Sequence, residues 1–74
     1  MLNNMTKQHR IELGESIRVL RKARGMTQLE LAVATSCGQS NIWRIEAGEV
    51  SVGIDVLTRI AYALGTTVKD LVSF

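Results

Sequence analysis

Two short helical segments with only three residues between them place the strongest constraint on how this 74-residue chain can fold. The first segment opens at Thr27, where a capping box is predicted: the Thr27 hydroxyl accepts from the Glu30 amide, and the Glu30 carboxylate reaches back. After a break at residues 36–38, the second segment covers residues 39–47 until Gly48 ends it. A connection of this length is typical of a helix-turn-helix unit.

The rest of the chain is also predicted to be helical. It has no proline, and Gly25 and Gly65 each follow an apolar periodic segment, as residues that end helices do. Helices are predicted over residues 7–24 and about 54–64, and Thr67 opens a short fifth helix with a second, approximate capping box. No stretch keeps the alternation of a β-strand, so the fold class is all-α. The two long helices carry apolar stripes: Leu13, Ile17 and Leu20 in one, and Ile54, Leu57, Ile60, Ala61 and Leu64 in the other.

Composition excludes several classes of protein. Hydrophobic residues make up 46% of the chain, which is enough for a compact core, but no apolar run approaches the roughly 18 residues that span a membrane. The first ten residues lack the apolar region of a signal peptide, so a cytoplasmic location is expected. The single cysteine, Cys37, is expected to be a small core residue, and it lies far in sequence from the single histidine, His9. We therefore predict no catalytic site, no metal site, no cofactor and no small-molecule ligand.

Positive charge is concentrated near the start of the chain. The net charge is only +2, but one stretch holds Arg10, Arg18, Arg21, Lys22 and Arg24. Such a stretch can contact nucleic-acid phosphates, or it can be the solvated face of a helix. The sequence alone leaves both interpretations open.

The third helix has one apolar and one polar face. At about 100° per residue, Ile42 and Ile45 fall on one side. The opposite face carries Gln39, Ser40, Trp43 and Arg44. Glutamine can pair with adenine and arginine with guanine or a phosphate, so this face has the chemistry needed to contact bases. Trp43 should cover something apolar: either a thymine methyl or sugar, or a neighbouring side chain.

Glu46 lies at the border of this apolar seam, where a carboxylate needs a partner. Arg21, near the end of the first helix, is the predicted partner. Their pairing would fix the angle at which the third helix is presented.

Four motifs in register resemble the Cro/C1-type helix-turn-helix family: Leu-Arg before Gly25, Thr-Gln-x-x-Leu-Ala from Thr27, Ile-x-x-Ile-Glu-x-Gly from Ile42 and Ile-Ala-x-Ala-Leu-Gly from Ile60. The resemblance implies a compact five-helix, lambda-repressor-like domain over residues 7–74, preceded by a flexible arm at residues 1–6. It also implies a DNA-binding transcription regulator whose third helix enters the major groove.

The resemblance assigns roles to individual residues. Gln28 matches a glutamine that touches the DNA backbone, and Arg21 and Glu46 match a buried salt bridge. Gln39, Ser40 and Arg44 match positions that often reach base edges. Asn41, from the sequence of the third helix alone, is a further candidate for DNA contact. Departures from the family pattern are Ser36 in the turn, Cys37 and Gly38 after it, and a loop at residues 49–52 without basic residues.

Double-stranded DNA is the expected partner, and proteins of this type usually bind it as two-fold dimers. The interface is predicted on the fifth helix and the adjoining surface of the fourth. Its residues would be Val68, Leu71, Val72 and Phe74, whose apolar side chains lie near the chain end.

The favoured function is a sequence-specific regulator of repressor or restriction-modification controller type. An antitoxin that also regulates its operon is the alternative, although such proteins usually carry an extra toxin-binding segment. A module that has lost DNA binding is a third possibility, against which Gln28, Gln39 and Arg44 argue.

Overall fold

The computed structural model describes residues 5–72, and within that range it contains five α-helices and no β-strand. The helices are α1 (Lys7–Ala23), α2 (Gln28–Thr35), α3 (Gln39–Glu46), α4 (Ile54–Ala63) and α5 (Val68–Leu71). The predicted all-α class with a helix-turn-helix at α2 and α3 is therefore confirmed.

Local sequence accounts for where the helices begin and end. At the start of α2 the Thr27 hydroxyl accepts from the Glu30 amide at 3.0 Å, and a Glu30 carboxylate oxygen accepts from the Thr27 amide at 2.8 Å. The predicted capping box is thus complete. At α5 the Thr67 hydroxyl accepts from the Asp70 amide at 3.1 Å. Three glycines, Gly25, Gly48 and Gly65, follow helix ends with φ of 70°, 75° and 69°, a left-handed conformation that glycine adopts without strain.

The core lies between helices that pack in pairs: α3 against α1 and α2, α4 against α2 and α5, and α5 against α1. Its largest fully buried apolar side chains are Leu13, Ile17, Leu31, Ile42, Leu57, Ile60, Leu64 and Leu71. One member of the predicted α4 stripe is different: Ile54 is 54% exposed, because it begins the helix at the edge of the core. The stripe therefore starts at Leu57.

The prediction that residues 1–6 form a flexible arm is wrong for its last two residues. Met5 is only 6% exposed and packs in the core. Thr6 is the N-cap of α1, and its hydroxyl accepts from the His9 amide at 3.1 Å. The sequence pattern missed Met5 because a single apolar residue before a helix has no periodic neighbour. Residues 1–4 lie outside the described residues.

Leu71 also needs a correction as a predicted dimer-interface residue. Its side chain is 1% exposed because it fills the core beneath α5, so little of it is left for a second protomer. Val68 and Val72 are partly buried against the same core. Phe74, the fourth predicted interface residue, lies outside the described residues.

Three arginine side chains connect distant parts of the backbone. Arg10 Nε donates to the Gly48 carbonyl at 3.3 Å. Arg24 Nε donates to the Leu64 carbonyl and Arg59 Nε to the Thr35 carbonyl, each at 2.9 Å. These bonds satisfy carbonyls at or just beyond helix ends, which have no partner within their own helix.

Gly14 allows α1 to approach the end of α3 very closely. A Cβ atom built on Gly14 would lie 2.5 Å from the Ile45 carbonyl oxygen and 2.6 Å from that of Glu46. Both neighbours are backbone atoms, so they cannot move aside as a flexible side chain would. The crossing of α1 and α3 therefore requires glycine at this position.

Gly14→Ala is expected to lower the free energy of unfolding by about 2 kcal/mol, in the range of overpacked cores, although alanine ordinarily favours a helix. Urea unfolding followed by circular dichroism measures the change. Gly53→Ala is the comparison variant, because Gly53 has a φ of −71° and nothing within 4 Å of the added Cβ. Gly53 is the N-cap of α4, so its replacement costs only the weaker capping of alanine. Equal unfolding midpoints for the two variants would contradict the close-approach argument.

Candidate nucleic-acid interface

A tight turn sets the angle between α2 and α3. Ser36 ends α2 in the left-handed conformation, with a φ of 57°, and the Cys37 amide donates back to the Ala32 carbonyl at 2.9 Å. Serine therefore occupies the place where the resemblance expects glycine, and it adopts the backbone conformation that glycine would. Cys37 is half-buried and packs against the core, with its Sγ 3.6 Å from the Thr35 carbonyl oxygen.

The two faces of α3 are divided as the helical periodicity predicts. Ile42 is 0% and Ile45 6% exposed, so they anchor the helix to the core. The outward face consists of exposed residues: Gln39, Ser40, Asn41, Trp43 and Arg44. None of their side chains is hydrogen-bonded to another residue within 5–72, so their polar groups are available to a ligand.

A buried ion pair joins α1 to the end of α3. Arg21 Nε donates to Glu46 Oε2 at 2.6 Å, and Arg21 Nη2 donates to Glu46 Oε1 at 3.1 Å. The two side chains are only 9% and 3% exposed. Arg21 Nη1 also donates to the Met26 carbonyl at 2.7 Å, so one guanidinium holds α3 and the loop before α2 together. A two-point contact of this kind fixes orientation as well as distance.

Gln28 is held by the same carboxylate. Its Nε2 donates to Glu46 Oε1 at 3.1 Å, so Glu46 links the start of α2 to the end of α1. Sequence reasoning placed Gln28 at the DNA backbone but missed this bond, because it joins residues that are 18 positions apart. The bond uses one of the two amide hydrogens and leaves the other without a partner among residues 5–72.

Trp43 lies beside an open groove between α1 and α3. The groove has a volume of about 390 Å³ and is lined by Ile11, Glu15, Arg18, Gln28, Trp43, Glu46 and Ala47. Trp43 remains 53% exposed there, and Ile11 on the opposite wall is 42% exposed. The half-exposed indole therefore shares the groove with an apolar side chain and leaves surface accessible to a ligand.

Two other kinds of site are absent from residues 5–72. No helix there is long and apolar enough to cross a membrane. No group of three or more histidine, cysteine, aspartate or glutamate side chains in this part of the chain could hold a metal ion.

Glu46→Ala is expected to lower the free energy of unfolding by about 3–5 kcal/mol, because it leaves the Arg21 guanidinium buried without its partner. For a chain of this size the melting temperature should fall by at least about 12 °C. It should also weaken duplex DNA binding, because both α3 and Gln28 lose their anchor.

Glu49→Ala is the control for this experiment. Glu49 lies three positions after Glu46 and is exposed, and its carboxylate has no hydrogen bond to residues 5–72. Its removal should therefore hardly change the melting temperature. An unchanged melting temperature for Glu46→Ala, measured by differential scanning calorimetry, would show that the ion pair does not orient α3.

Known proteins are similar to this chain in sequence and in fold. The family model described as "Helix-turn-helix domain" matches residues 12–73. The control protein C.BamHI from Bacillus amyloliquefaciens is 34% identical over 71 residues, which cover 95% of this chain and 88% of that protein.

Solved structures agree with that relationship. The restriction-modification controller protein C.AhdI from Aeromonas hydrophila matches with a TM-score of 0.82 and 27% identity, covering 84% of this chain and 94% of that chain. The clp gene regulator ClgR from Corynebacterium glutamicum matches with a TM-score of 0.82 and 32% identity, covering 84% of this chain and 66%, just under two thirds, of that one. The chain belongs to the helix-turn-helix domain family and is a Cro/C1-type DNA-binding transcription regulator, not an enzyme.

Proposed function

We propose that this protein is a sequence-specific regulator that binds a palindromic operator as a homodimer, with α3 in the major groove. The outward face of α3 is the observation that carries the proposal. Its polar side chains are exposed and without partners in residues 5–72, while the helix beneath them is held by Ile42, Ile45 and the Arg21–Glu46 pair. A rigid helix with free polar groups is what base readout requires.

The outward face divides into different kinds of contact. Gln39 and Arg44 have the side chains that pair bidentately with adenine and guanine, and Ser40 and Asn41 add shorter polar contacts. Gln28, held by Glu46, donates its second amide hydrogen to a phosphate. Trp43 packs against the DNA with the open side of its indole.

In a homodimer the two copies of α3 would lie about 34 Å apart, which is one turn of the duplex. They would therefore enter successive major grooves on the same face of the DNA. The proposed interface combines Val68 and Val72 with the outer surface of α4. On that surface Tyr62 is 88% exposed, an unusual position for a large aromatic side chain left in water.

Two relatives of similar length are control proteins, one of them named as a restriction-modification controller. Because this chain covers 88% and 94% of their lengths, we propose that it is a controller or a small repressor of the same type.

Selection of bound duplexes from a random pool tests the operator. The wild-type chain should enrich a palindrome, and Gln39→Ala should relax the preference at one position of each half-site, at a cost of about 1–3 kcal/mol per lost base contact. Gln8→Ala is the control, because Gln8 is exposed on α1 and its side chain bonds no described residue except Glu12. If the duplexes that the wild-type chain selects show no enriched palindrome, the proposal is refuted.

Sedimentation equilibrium at micromolar concentration tests the dimer. The wild type should have twice the monomer mass, and Tyr62→Asp should shift it toward the monomer by placing a charge in the interface. Val33→Asp, a similar change at a 72% exposed residue of α2, should leave the dimer intact. A monomeric wild-type chain, or equal masses for the two variants, would contradict the proposed interface.

A further inference from the structure

The chain's six arginines divide by what their guanidinium groups contact. Four donate to backbone carbonyls and so serve the fold: Arg10, Arg21, Arg24 and Arg59. Arg44 lies on the outward face of α3. Arg18 belongs to neither group, because its only bonds to described residues go to Glu15, one turn earlier in its own helix.

Arg18 has spare donors in a place where a ligand can reach them. Its Nη2 donates to Glu15 Oε1 at 2.8 Å and to Oε2 at 2.9 Å, while Nε and Nη1 have no partner among residues 5–72. The side chain is 44% exposed. The hydrogen bonds that Arg18 donates to the Glu15 carboxylate raise the pKa of the Arg18 guanidinium, which therefore stays charged.

The groove beside α3 brings Arg18 close to the DNA-reading surface. Arg18 lines it together with Gln28 and Trp43. A major groove about 12 Å wide is nearly filled by one helix of about 10–12 Å diameter, so the flanks of that helix face the phosphate backbones. Trp43 lies on this flank of α3, and Arg18 of α1 lines the same groove.

The charges of the groove do not oppose an anion. Two carboxylates line it, but Glu46 is paired with Arg21, and Glu15 is paired with Arg18 itself. Because the guanidinium has five N–H donors in a planar fork, it can keep its bond to Glu15 and still present Nε and Nη1 to phosphate oxygens.

We propose that Arg18 is a further DNA-contact residue, which binds a backbone phosphate next to Gln28, and that Glu15 orients it while its carboxylate partly offsets the positive charge of the guanidinium. This inference rests on the proposed function. Of the four arginines in the basic stretch, Arg18 would contact a phosphate. Arg10, Arg21 and Arg24 have a structural role, because they bond backbone carbonyls. A phosphate contact of this kind adds affinity without sequence preference.

The test measures operator affinity against salt concentration for the wild type, Arg18→Gln and Lys69→Gln. Each lost phosphate contact lowers the slope of log affinity against log salt by about 0.9, so a dimer of Arg18→Gln should lose about two. When the salt concentration is raised from about 50 to 200 mM, the factor by which the affinity of Arg18→Gln falls should be about ten times smaller than the factor for the wild type. Lys69→Gln removes the same charge from exposed α5 and should keep the wild-type slope.

Two further variants separate a phosphate contact from a structural effect. Arg18→Lys should restore most of the slope, because the charge returns. Glu15→Gln should bind more tightly than the wild type at 50 mM salt, because it frees the guanidinium. Melting of all variants should stay within a few degrees of the wild type, because an exposed ion pair contributes little to stability.

The outcomes distinguish this inference from the function on which it rests. If Gln39→Ala loses sequence preference but Arg18→Gln keeps the wild-type slope, Arg18 touches no phosphate and the regulator proposal survives. If the wild type enriches no duplex sequence, the proposed function fails and this inference fails with it. A slope that falls for Arg18→Gln and Lys69→Gln alike would also overturn it, because the effect would then reflect net charge.

Discussion

The ion pair between Arg21 and Glu46 is the contact on which the geometry of the reading surface depends. Through it, α1 fixes the end of α3, and the same carboxylate holds Gln28 at the start of α2. Compared with two apolar side chains of similar volume, a buried pair of this kind adds little net stability, because desolvation of the two charges offsets their attraction. Removing one partner alone is costly, because the other charge is then left buried and unpaired. The value of the pair here is orientation: a two-point contact allows fewer arrangements of α1, α2 and α3 than an apolar contact would.

Backbone contacts complete what the ion pair begins. Gly14 lets α1 approach the carbonyls at the end of α3, and Arg10 bonds the Gly48 carbonyl just beyond it. The last turn of α3 is therefore held by a close approach and by two arginines of α1. The free polar groups of α3 lie on the opposite side of the helix, where nothing among residues 5–72 competes with a ligand for them.

Sequence reasoning succeeded where the cause is local. Thr27 and Glu30 are three residues apart, and the three glycines act on their own backbone, so caps and helix ends follow from spacing alone. The candidate face of α3 follows from periodicity. Among contacts that depend on tertiary packing, the Arg21–Glu46 pair was predicted, from the border position of Glu46 and from the family resemblance. The burial of Met5, the exposure of Ile54 and the bond between Gln28 and Glu46 were missed. Arg10 and Gly48 are 38 positions apart, and no sequence pattern links them.

A crystal structure of the protein bound to its selected duplex tests the central claim most directly. The account predicts that α3 lies in the major groove, that Gln39 and Arg44 reach base edges, and that Arg21 Nε stays within hydrogen-bond distance of Glu46 Oε2. Because the pair is proposed to orient the helix before DNA arrives, its geometry should match that of the free protein. A complex in which the duplex lies on another face, or in which the pair has separated, would contradict it.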